Sequence, residues 1–357
     1  MPASRACSCF IAPPDLLARL ATEGTPEQRQ AAVRTLSASA ALRTQRSIVS
    51  NLMRQTDVPV AKLAGLEALK GHQIVYDNKH RGRSFLPGTK VRADGDPASS
   101  DAAVNEAFDG AAQTYDFYRK VFKRNSVDAH GMTLVSSVHY STGFDNAFWN
   151  GAQMVYGDGS GQLFQVGALT KALDVIGHEL THGVTQFTAG LDYSSQTGAL
   201  NEHMSDVFGS LVKQYHLGQT AADADWLIGA GTLVPALGQA LRSMRAPGTA
   251  YDGDRQPAHM KDYVDLPDDG DPRHDNGGVH INSGIPNHAF YLAATKLGGH
   301  AWEKAGPIWY TTLTERLQPD SEFADAARAS VDVAGKKYGA AEVAAVTEAW
   351  HEVGLDV

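Results

Sequence analysis

Two histidines four residues apart, His178 and His182, are the residues of this 357-residue chain best placed to do chemistry. On a helix, side chains at positions i and i+4 project from one face, near enough to share one metal ion. Neutral imidazole binds Zn²⁺ well, and catalytic zinc keeps three protein ligands with the fourth position open to water. Glu179, directly after the first histidine, is placed to act as general base on that water.

A third ligand is available in a second predicted helix, where Glu202 follows His182 by twenty positions. A helix–loop–helix can bring Glu202 to the same ion, and Asp206, one turn further, is placed to accept the second ring N–H of a ligand histidine. His203 is a competing ligand, although on a helix it points about 100° away from Glu202. The alternative is a surface helix that carries two histidines by chance, and an available third ligand disfavours it.

The elements that must position these residues fall into three regions of the chain. Residues 1–70 are predicted to form a helical arm, with a helix starting at Thr25-Pro26-Glu27, where a capping Thr precedes a Pro and an early acid. Residues 71–172 combine short predicted strands with one long amphipathic helix over 104–122. Residues 173–357 are dominated by predicted helices, at 173–188, 197–217, 282–297, 301–317, 321–337 and 340–352. The predicted fold class is therefore α+β.

Charge and hydropathy exclude several classes of function. Lys and Arg number 31 against 40 Asp and Glu, and the net charge of −9 argues against a general nucleic-acid-binding protein. No apolar run is long enough to cross a bilayer, so no membrane partner is expected. The apolar stretch over residues 6–12 ends at Pro13-Pro14 and is too short for the core of a standard secretory signal. Export by another route and retention in the cytoplasm both stay open.

The cysteines are Cys7 and Cys9, two positions apart near the N-terminus. Thiolate binds zinc well, so this pair is able to cap a metal in an inactive precursor. The favoured interpretation is simpler: small packing residues or a redox-labile pair. The sequence does not decide whether either cysteine contacts the zinc.

The pairing of His-Glu-Leu-Thr-His at 178–182 with Asn-Glu-x-x-Ser-Asp at 201–206 resembles the thermolysin family of metalloendopeptidases. Further blocks agree in consistent order from about Val75 to the C-terminus: Asn-Ala-Phe-Trp-Asn-Gly at 146–151, Met-Val-Tyr-Gly-Asp-Gly at 154–159, Leu-Arg-Ser-Met at 241–244 and Asp-Asn-Gly-Gly-Val-His-Ile-Asn-Ser-Gly at 275–284. The arm, with Cys-x-Cys-Phe and Pro-Pro-x-Leu-Leu, resembles the short propeptide of protealysin-like members.

The resemblance implies a thermolysin-like two-domain fold. A mainly β N-terminal catalytic domain would cover 71–172, an α-helical C-terminal catalytic domain would cover 173–357, and the zinc helix would lie between them. The helical segment 1–70 would be a propeptide, so the chain would be made as the precursor of a secreted zinc endopeptidase. Its partners would be protein or peptide substrates and its own propeptide, although a permanent interaction module remains the alternative for the arm.

The resemblance also implies a role for each matching position at the metal. His178, His182 and Glu202 would bind zinc, while Glu179 would activate water and pass its proton to the leaving amine. Asp206 would orient a ligand histidine.

Across the cleft, the resemblance implies that His280, oriented by Asp275, and Tyr193 hydrogen-bond the developing oxyanion of the tetrahedral intermediate. Such donors stabilise charge that appears only in the transition state. Without the matching flanks, His280 would be interpreted as a loop histidine whose hydrogen bonds Asp275 satisfies.

Substrate binding is implied at a further set of positions. Asn146 and the backbone of Ala147 would align the substrate strand, and Arg242 would hold a substrate carbonyl. The pocket for the residue after the scissile bond would be lined by Phe164, Val175, Ile228 and Leu241, favouring a bulky apolar residue there. Each of these apolar side chains, taken alone, is equally well interpreted as plain core.

The sequence departs from the family at its double calcium site. Asp174 and Asp225 are present, but Lys213 falls where an acidic ligand would be, and Leu227 and Ala230 replace two more. Calcium needs many hard oxygen ligands, and an ammonium group among them is strongly repulsive. We therefore expect calcium to be absent from this site.

Two other classes of function compete with an active endopeptidase. A zinc hydrolase acting on something other than peptides is disfavoured by Asn146 and Arg242, which suit a peptide strand. An inactive zinc-binding scaffold is disfavoured because Glu179 and His280 are both retained.

Overall fold

A computed structural model of the chain describes residues 9–56 and 72–357, and the first of these segments forms an arm. The arm consists of one short strand and two helices: β1 (Cys9–Phe10), α1 (Pro14–Glu23) and α2 (Pro26–Thr56). Helix α2 begins directly after Thr25, as predicted, and the Thr25 hydroxyl oxygen accepts a hydrogen bond from the amide of Gln28 at 3.3 Å. The sequence does not predict α1, since no side chain caps its N-terminus.

A six-stranded sheet follows the arm in the chain and includes the arm's own strand. Its other strands are β2 (Gln73–Asp77), β3 (Thr89–Ala93), β4 (Leu134–Val138), β5 (Ala147–Trp149) and β6 (Met154–Tyr156), in the order β1-β5-β6-β4-β2-β3. Strands β2, β4 and β6 are parallel, and the other pairs are antiparallel. Cys9 lies opposite Trp149 and Phe10 opposite Phe148, so the arm supplies an edge strand.

One long helix, α3 (Ala102–Phe122), packs against β2 and β4. The carboxylate of Asp101 caps it by accepting a hydrogen bond from the amide of Ala103 at 2.9 Å. Val104, Ala107 and Ala111 lie one turn apart and are buried, so the predicted amphipathic face is the one that covers the sheet.

The two helices that carry the histidines and Glu202 are α4 (Leu173–Gln186) and α5 (Ser195–Leu217), close to their predicted bounds. They pack directly against each other at the centre of the molecule. Residues 174–185 of α4 are all buried, so this helix has no face in solvent. Polar side chains on such a helix must find partners inside the protein.

The remainder of the chain is mostly helical, as predicted. It contains a two-stranded sheet, β7 (Leu227–Ile228) and β8 (Arg242–Ser243), and helices α6 (Asp275–Asn282), α7 (Gly284–Leu297), α8 (Ala305–Glu315), α9 (Phe323–Lys337) and α10 (Ala340–Glu352). The sequence does not predict β7, β8 or α6. The two strands have two residues each, and α6 begins with positive φ angles of 51°, 81° and 81° at Asn276, Gly277 and Gly278.

The α+β prediction is thus confirmed, with the strands of the large sheet preceding a helical second half. Within residues 9–56 and 72–357, no helix has both the length and the apolar composition needed to cross a bilayer.

Helices α4 and α5 approach closely at two glycines, Gly177 and Gly209. A Cβ placed on Gly209 would lie 2.4 Å from the carbonyl oxygen of Asp174 and 3.0 Å from the amide nitrogen of His178. Any side chain at this position must therefore push apart the two helices that carry the candidate metal ligands.

We expect Gly209→Ala to lower the free energy of unfolding by roughly 1–3 kcal/mol, because the added methyl overpacks the helix contact. Chemical denaturation of the zinc-saturated protein measures this effect. The matched control is Gly335→Ala on α9, at an exposed position where the nearest heavy atom to a new Cβ is Val343 Cγ2 at 3.3 Å. The control should be neutral or up to about 1 kcal/mol more stable, as for any exposed helical Gly→Ala change. Equal stability of the two variants would contradict the packing argument.

Candidate functional site

The i, i+4 spacing on α4 places the imidazoles of His178 and His182 side by side, with their Nε2 atoms 3.0 Å apart. Glu202 reaches them from α5: its Oε2 lies 3.4 Å from His178 Nε2, and its Oε1 lies 3.3 Å from His182 Nε2. All three side chains are buried, and their donor atoms lie within 4.8 Å of one another. The structure therefore brings together the three ligands that the sequence predicts.

The outer nitrogen of each imidazole is held by an oxygen acceptor. His178 Nδ1 donates to Asp206 Oδ1 at 2.8 Å, and His182 Nδ1 donates to Asn201 Oδ1 at 2.9 Å. With Nδ1 protonated, a neutral imidazole presents the lone pair of Nε2, which is the form that binds a metal.

The donor set fits Zn²⁺. It contains two neutral imidazoles and one carboxylate, as in catalytic zinc sites. Two Nε2 lone pairs at 3.0 Å repel each other unless a cation lies between them. Glu202 Oε2 is buried and has no hydrogen-bond partner among the described residues, as expected for an oxygen that serves a metal.

The contact of Asn201 with His182 is not predicted from the sequence. Asn201 lies next to Glu202 in the recognised motif, but a helix turns about 100° per residue, so the two side chains point in different directions. Only the way α5 packs on α4 shows that Asn201 faces His182. The amide of Asn201 is oriented by a hydrogen bond from its Nδ2 to the carbonyl of Leu191 at 3.1 Å.

His203 is held away from the metal ligands by bonds of its own. Its Nδ1 is bonded to Asn287 Oδ1 at 2.8 Å, and its Nε2 accepts a hydrogen bond from the indole of Trp309 at 2.9 Å. Both ring nitrogens are therefore occupied in the helical core, which agrees with the predicted direction of this side chain.

Asp206 accepts hydrogen bonds from three different residues. Besides His178, Arg242 donates from Nε at 2.7 Å and from Nη2 at 2.8 Å, and Asn287 Nδ2 donates at 2.8 Å. Burial alone would raise the pKa of Asp206, but the charge of Arg242 and the bond from His178 lower it to about 2. The carboxylate is therefore ionised at neutral pH.

Glu179 lies on the same helix between the two histidines and is fully buried. Its Oε2 accepts a hydrogen bond from the backbone amide of Trp149 at 2.8 Å, whereas its Oε1 has no partner within the described part of the chain. Burial raises the pKa of Glu179 to about 8. The charge of His178 opposes this shift, and the nearby Glu202 carboxylate adds to it. A divalent cation at the adjacent ligands would lower this pKa again.

His280 and Tyr193 face the candidate ligands from the opposite side. His280 Nδ1 donates to Asp275 Oδ1 at 2.6 Å, and its Nε2 lies 3.5 Å from Glu202 Oε2. The Tyr193 hydroxyl donates to Glu202 and lies 3.3 Å from His280 Nε2. Although burial opposes it, the carboxylates of Glu202 and Asp275 raise the pKa of His280 to about 9. The predicted pair of donors is therefore assembled, with Asp275 orienting the imidazole.

The predicted substrate-aligning residues are in contact with the arm. The amide of Ile11 donates to the carbonyl of Ala147 at 3.1 Å, and the amide of Ala12 donates to Asn146 Oδ1 at 3.0 Å. Arg242 Nη1 donates to the carbonyl of Ile11 at 3.1 Å. A backbone strand of this same chain thus engages Asn146, Ala147 and Arg242.

The four predicted pocket residues are all buried, within one apolar cluster that also contains Ile11. They are Phe164, Val175, Ile228 and Leu241. Ile11 itself is fully buried.

Cys9 is buried and lines a small cavity that His182 and Asn201 also line. Its sulfur is disulfide-bonded, so it is not a thiolate ligand in this structure. Cys7 lies outside the described residues.

Comparison with known proteins gives matches over nearly the whole chain. A model of the thermolysin metallopeptidase catalytic domain matches residues 54–186, and a model of the thermolysin metallopeptidase α-helical domain matches residues 189–355.

Individual proteins agree with the domain matches. The chain is 48% identical over 356 residues to an extracellular metalloprotease of Pectobacterium carotovorum subsp. carotovorum, covering 98% of this chain and 97% of that protein. It is 42% identical over 295 residues to thermolysin of Bacillus caldolyticus, covering 79% of this chain and 50% of that protein. The solved precursor of protealysin, a metalloproteinase from Serratia proteamaculans, is 47% identical with a TM-score of 0.83, covering 97% of this chain and 99% of that one.

We expect Asn201→Ala to lower zinc affinity by about 10- to 100-fold, because His182 Nδ1 loses its amide acceptor and keeps only the Ser205 hydroxyl at 3.1 Å, which fixes the ring less firmly. Competition with a chromogenic chelator measures the affinity, and circular dichroism verifies that the variant is folded. The matched control is His216→Ala, an exposed change on the same helix that should leave zinc affinity unchanged. Wild-type affinity in Asn201→Ala would show that this hydrogen bond does not orient a ligand.

Proposed function

This chain belongs to the thermolysin family of metallopeptidases and is a zinc-dependent endopeptidase, and we propose how its residues carry out the cleavage. His178, His182 and Glu202 hold the zinc, and Glu179 is the general base. The observation that carries this proposal is the unpartnered, buried Oε1 of Glu179 beside the three-donor cluster. Bound zinc supplies a Lewis acid that polarises water and the substrate carbonyl.

Glu179 takes a proton from the attacking water and delivers it to the nitrogen of the leaving amine. The bond from Trp149 to Oε2 fixes the carboxylate, so Oε1 is the atom available for this transfer. Fixing the base in advance avoids an entropic cost at the moment of reaction.

His280 and Tyr193 donate hydrogen bonds to the oxyanion that develops on the carbonyl oxygen. The Asp275 carboxylate favours the doubly protonated form of His280, which keeps a proton on Nε2 for this purpose. Both donors are held in place before the reaction, which makes them most effective in a buried site.

A peptide substrate lies as an added strand beside β5. Asn146 and Ala147 bond its backbone, and Arg242 holds the carbonyl of the residue after the scissile bond. The fully buried Ile11, bound through the same groups, supports a preference for a bulky apolar residue at that position.

We propose that residues 1–70 are a propeptide that covers the cleft, and that 71–172 and 173–357 are the two catalytic domains. The arm's strand in the cleft supports this assignment, as does the similarity to a solved precursor. We also propose that the protein is secreted; a relative at 48% identity is named an extracellular metalloprotease.

We expect Glu179→Ala to reduce hydrolysis of a labelled peptide by about 10²- to 10⁴-fold while zinc content is unchanged, because the base does not hold the metal. Peptides with Leu, Phe, Ile or Val after the scissile bond should be cleaved in preference to those with Asp or Gly. Activity is measured with and without a zinc chelator, followed by addition of zinc.

The matched control is Glu348→Ala, whose side chain is 63% exposed in an ion pair with Lys296 and which should retain full activity. Hydrolysis that persists in chelator, or in Glu179→Ala at the wild-type rate, would overturn the proposed mechanism. Loss of zinc from Glu179→Ala would instead assign this residue to metal binding.

We propose further that Lys213 takes the place of calcium at the site near α4. Its Nζ lies 2.8 Å from Asp174 Oδ2, 2.9 Å from Asp225 Oδ1 and 2.7 Å from the carbonyl oxygen of Leu227. Burial opposes the charge, but Asp174 and Asp225 raise the pKa of Lys213 and keep the ammonium protonated. The oxygens of Asp174, Asp225 and Leu227 therefore surround the ammonium group of Lys213 in place of a calcium ion.

We expect micromolar calcium to leave the unfolding temperature of the zinc-saturated protein unchanged. Lys213→Glu should lose stability without calcium, since three carboxylates then converge, and should regain it as calcium binds them. Lys213→Met is the matched control: it should be destabilised by roughly 3 kcal/mol because the buried Asp174 carboxylate loses its partner, with little recovery in calcium. A wild-type protein stabilised by several degrees in micromolar calcium would refute the proposal.

A further inference from the structure

The strand that occupies the cleft runs from Cys9 to Ala12 and binds as the proposed function requires of a substrate. It pairs antiparallel with β5, and its two following amides donate to the carbonyl of Ala147 and to Asn146 Oδ1. The bound segment makes these bonds with its own backbone, as an added strand does, and they fix its direction and register.

Two side chains define which peptide bond lies at the catalytic position. Arg242 donates to the carbonyl of Ile11 at 3.1 Å, and His280 Nε2 donates to the carbonyl of Phe10 at 2.9 Å. In the proposed mechanism, His280 faces the carbonyl under attack and Arg242 faces the next one. Both contacts therefore place the Phe10–Ile11 peptide bond at the catalytic position.

The side chains on either side of this bond fit the register that the contacts of Arg242 and His280 define. Ile11, the residue after the bond, is bulky, apolar and fully buried, as the proposed specificity requires. Phe10, the residue before it, is 3% exposed and packs on Phe148 with ring centroids 5.1 Å apart. The arm therefore presents a sequence that the enzyme's own preference would select.

The burial of Phe10 and Ile11 also determines whether the same enzyme molecule or a second one is able to cut the bond between them. Ile11 lies in one apolar cluster with Leu16 and Leu17 of α1, and Phe10 lies in another with Leu42 of α2, so the arm covers both residues. A second enzyme molecule has no access to the bond while the arm is docked. The catalytic groups of the same molecule are already in place around it.

We propose that the first maturation cut of this protein is made within its own molecule, at the Phe10–Ile11 peptide bond. This inference rests on the proposed function. One water is consumed: its oxygen bonds to the carbonyl carbon of Phe10 as the C–N bond breaks, giving a carboxylate at Phe10. The amine of Ile11 receives a water proton through Glu179, and no electrons are transferred.

The cut frees one part of the arm before the other. The segment that ends at Phe10 then keeps the short pairing of β1 with β5 and the packing of Phe10 on Phe148, but it is no longer attached to the rest of the arm, and we expect it to leave the cleft. The part that begins at Ile11 stays attached through α1 and α2. Removal of the remaining arm is a separate, later step.

The experiment follows the masses of the full-length wild-type chain over time. The chain is purified in chelator, processing is started by adding zinc, and samples are stopped with acid. A chain beginning at Ile11 should form before any chain that begins beyond residue 12. Its first-order rate constant should be unchanged over about hundredfold dilution, since the bond and the catalytic groups are in one molecule. A rate proportional to concentration would overturn the proposal.

A mixing experiment tests the intramolecular step without altering the cleft. Isotope-labelled Glu179→Ala chain is added in excess to unlabelled wild type, so that mass identifies the origin of each fragment. The labelled chain should keep its Phe10–Ile11 bond while the wild-type chain loses it. Cleavage of that bond in the labelled chain, at the pace of the wild-type chain, would show that other molecules make the cut.

A variant of the arm adds a readout that does not depend on activity. In the Glu179→Ala background, the amides of Ile11 and Ala12 should exchange slowly with deuterium because both are hydrogen-bonded in the cleft. Ile11→Asp should remove this protection and, in the active enzyme, the cut at Phe10. The matched control is Val33→Asp, a change at a residue of the same arm that is 52% exposed, which should alter neither.

The outcomes separate this inference from the proposed function. If labelled peptide is hydrolysed and the arm is shortened while the Phe10–Ile11 bond survives, the inference is wrong and the proposed function stands. If the peptide is not hydrolysed and the chain stays whole in zinc, both fail.

Discussion

The buried carboxylate of Asp206 is the group through which the metal centre and the substrate cleft depend on each other. It orients the proposed zinc ligand His178 and, on its other side, holds two nitrogens of Arg242, whose third nitrogen reaches the strand of the arm. A buried charge is tolerated only while its partners remain, and loss of one costs several kcal/mol. The ligand, the carboxylate and the guanidinium must therefore fold as a unit, and this requirement fixes the position of β8 relative to α4.

That requirement explains why the centre of the molecule is so closely packed. Helix α4 is buried on every side, and it meets α5 where Gly209 leaves no room for a side chain. Close approach lets the short side chains of Asn201, Glu202 and Asp206 reach the histidines. Lys213, further along α5, secures the first turn of α4 through Asp174. The catalytic geometry is thus set by the spacing of two helices.

The sequence predicts those features that depend on local geometry. The shared face of His178 and His182 follows from helical periodicity, and the bounds of α3, α4 and α5 follow from their apolar patterns. Features created by distant parts of the chain are not predictable in this way. The contact of Phe10 with His280 joins residues 270 positions apart, and the Asn201–His182 bond depends on how two helices pack. Strands of two residues, such as β1 and β8, are too short to show any alternation.

In the proposed function, the arm's strand competes with every incoming peptide while it is covalently attached to the enzyme. Attachment gives it a fixed effective concentration, which a free peptide of the same sequence matches only when added at millimolar levels. Dilution therefore does not dissociate the uncut strand, and a substrate must compete against a ligand that stays attached to the enzyme. In such a protein the inhibited precursor and the active enzyme differ by a cleaved peptide bond more than by a change of shape. The change between them is permanent, because peptide hydrolysis in water does not reverse once the fragment has diffused away.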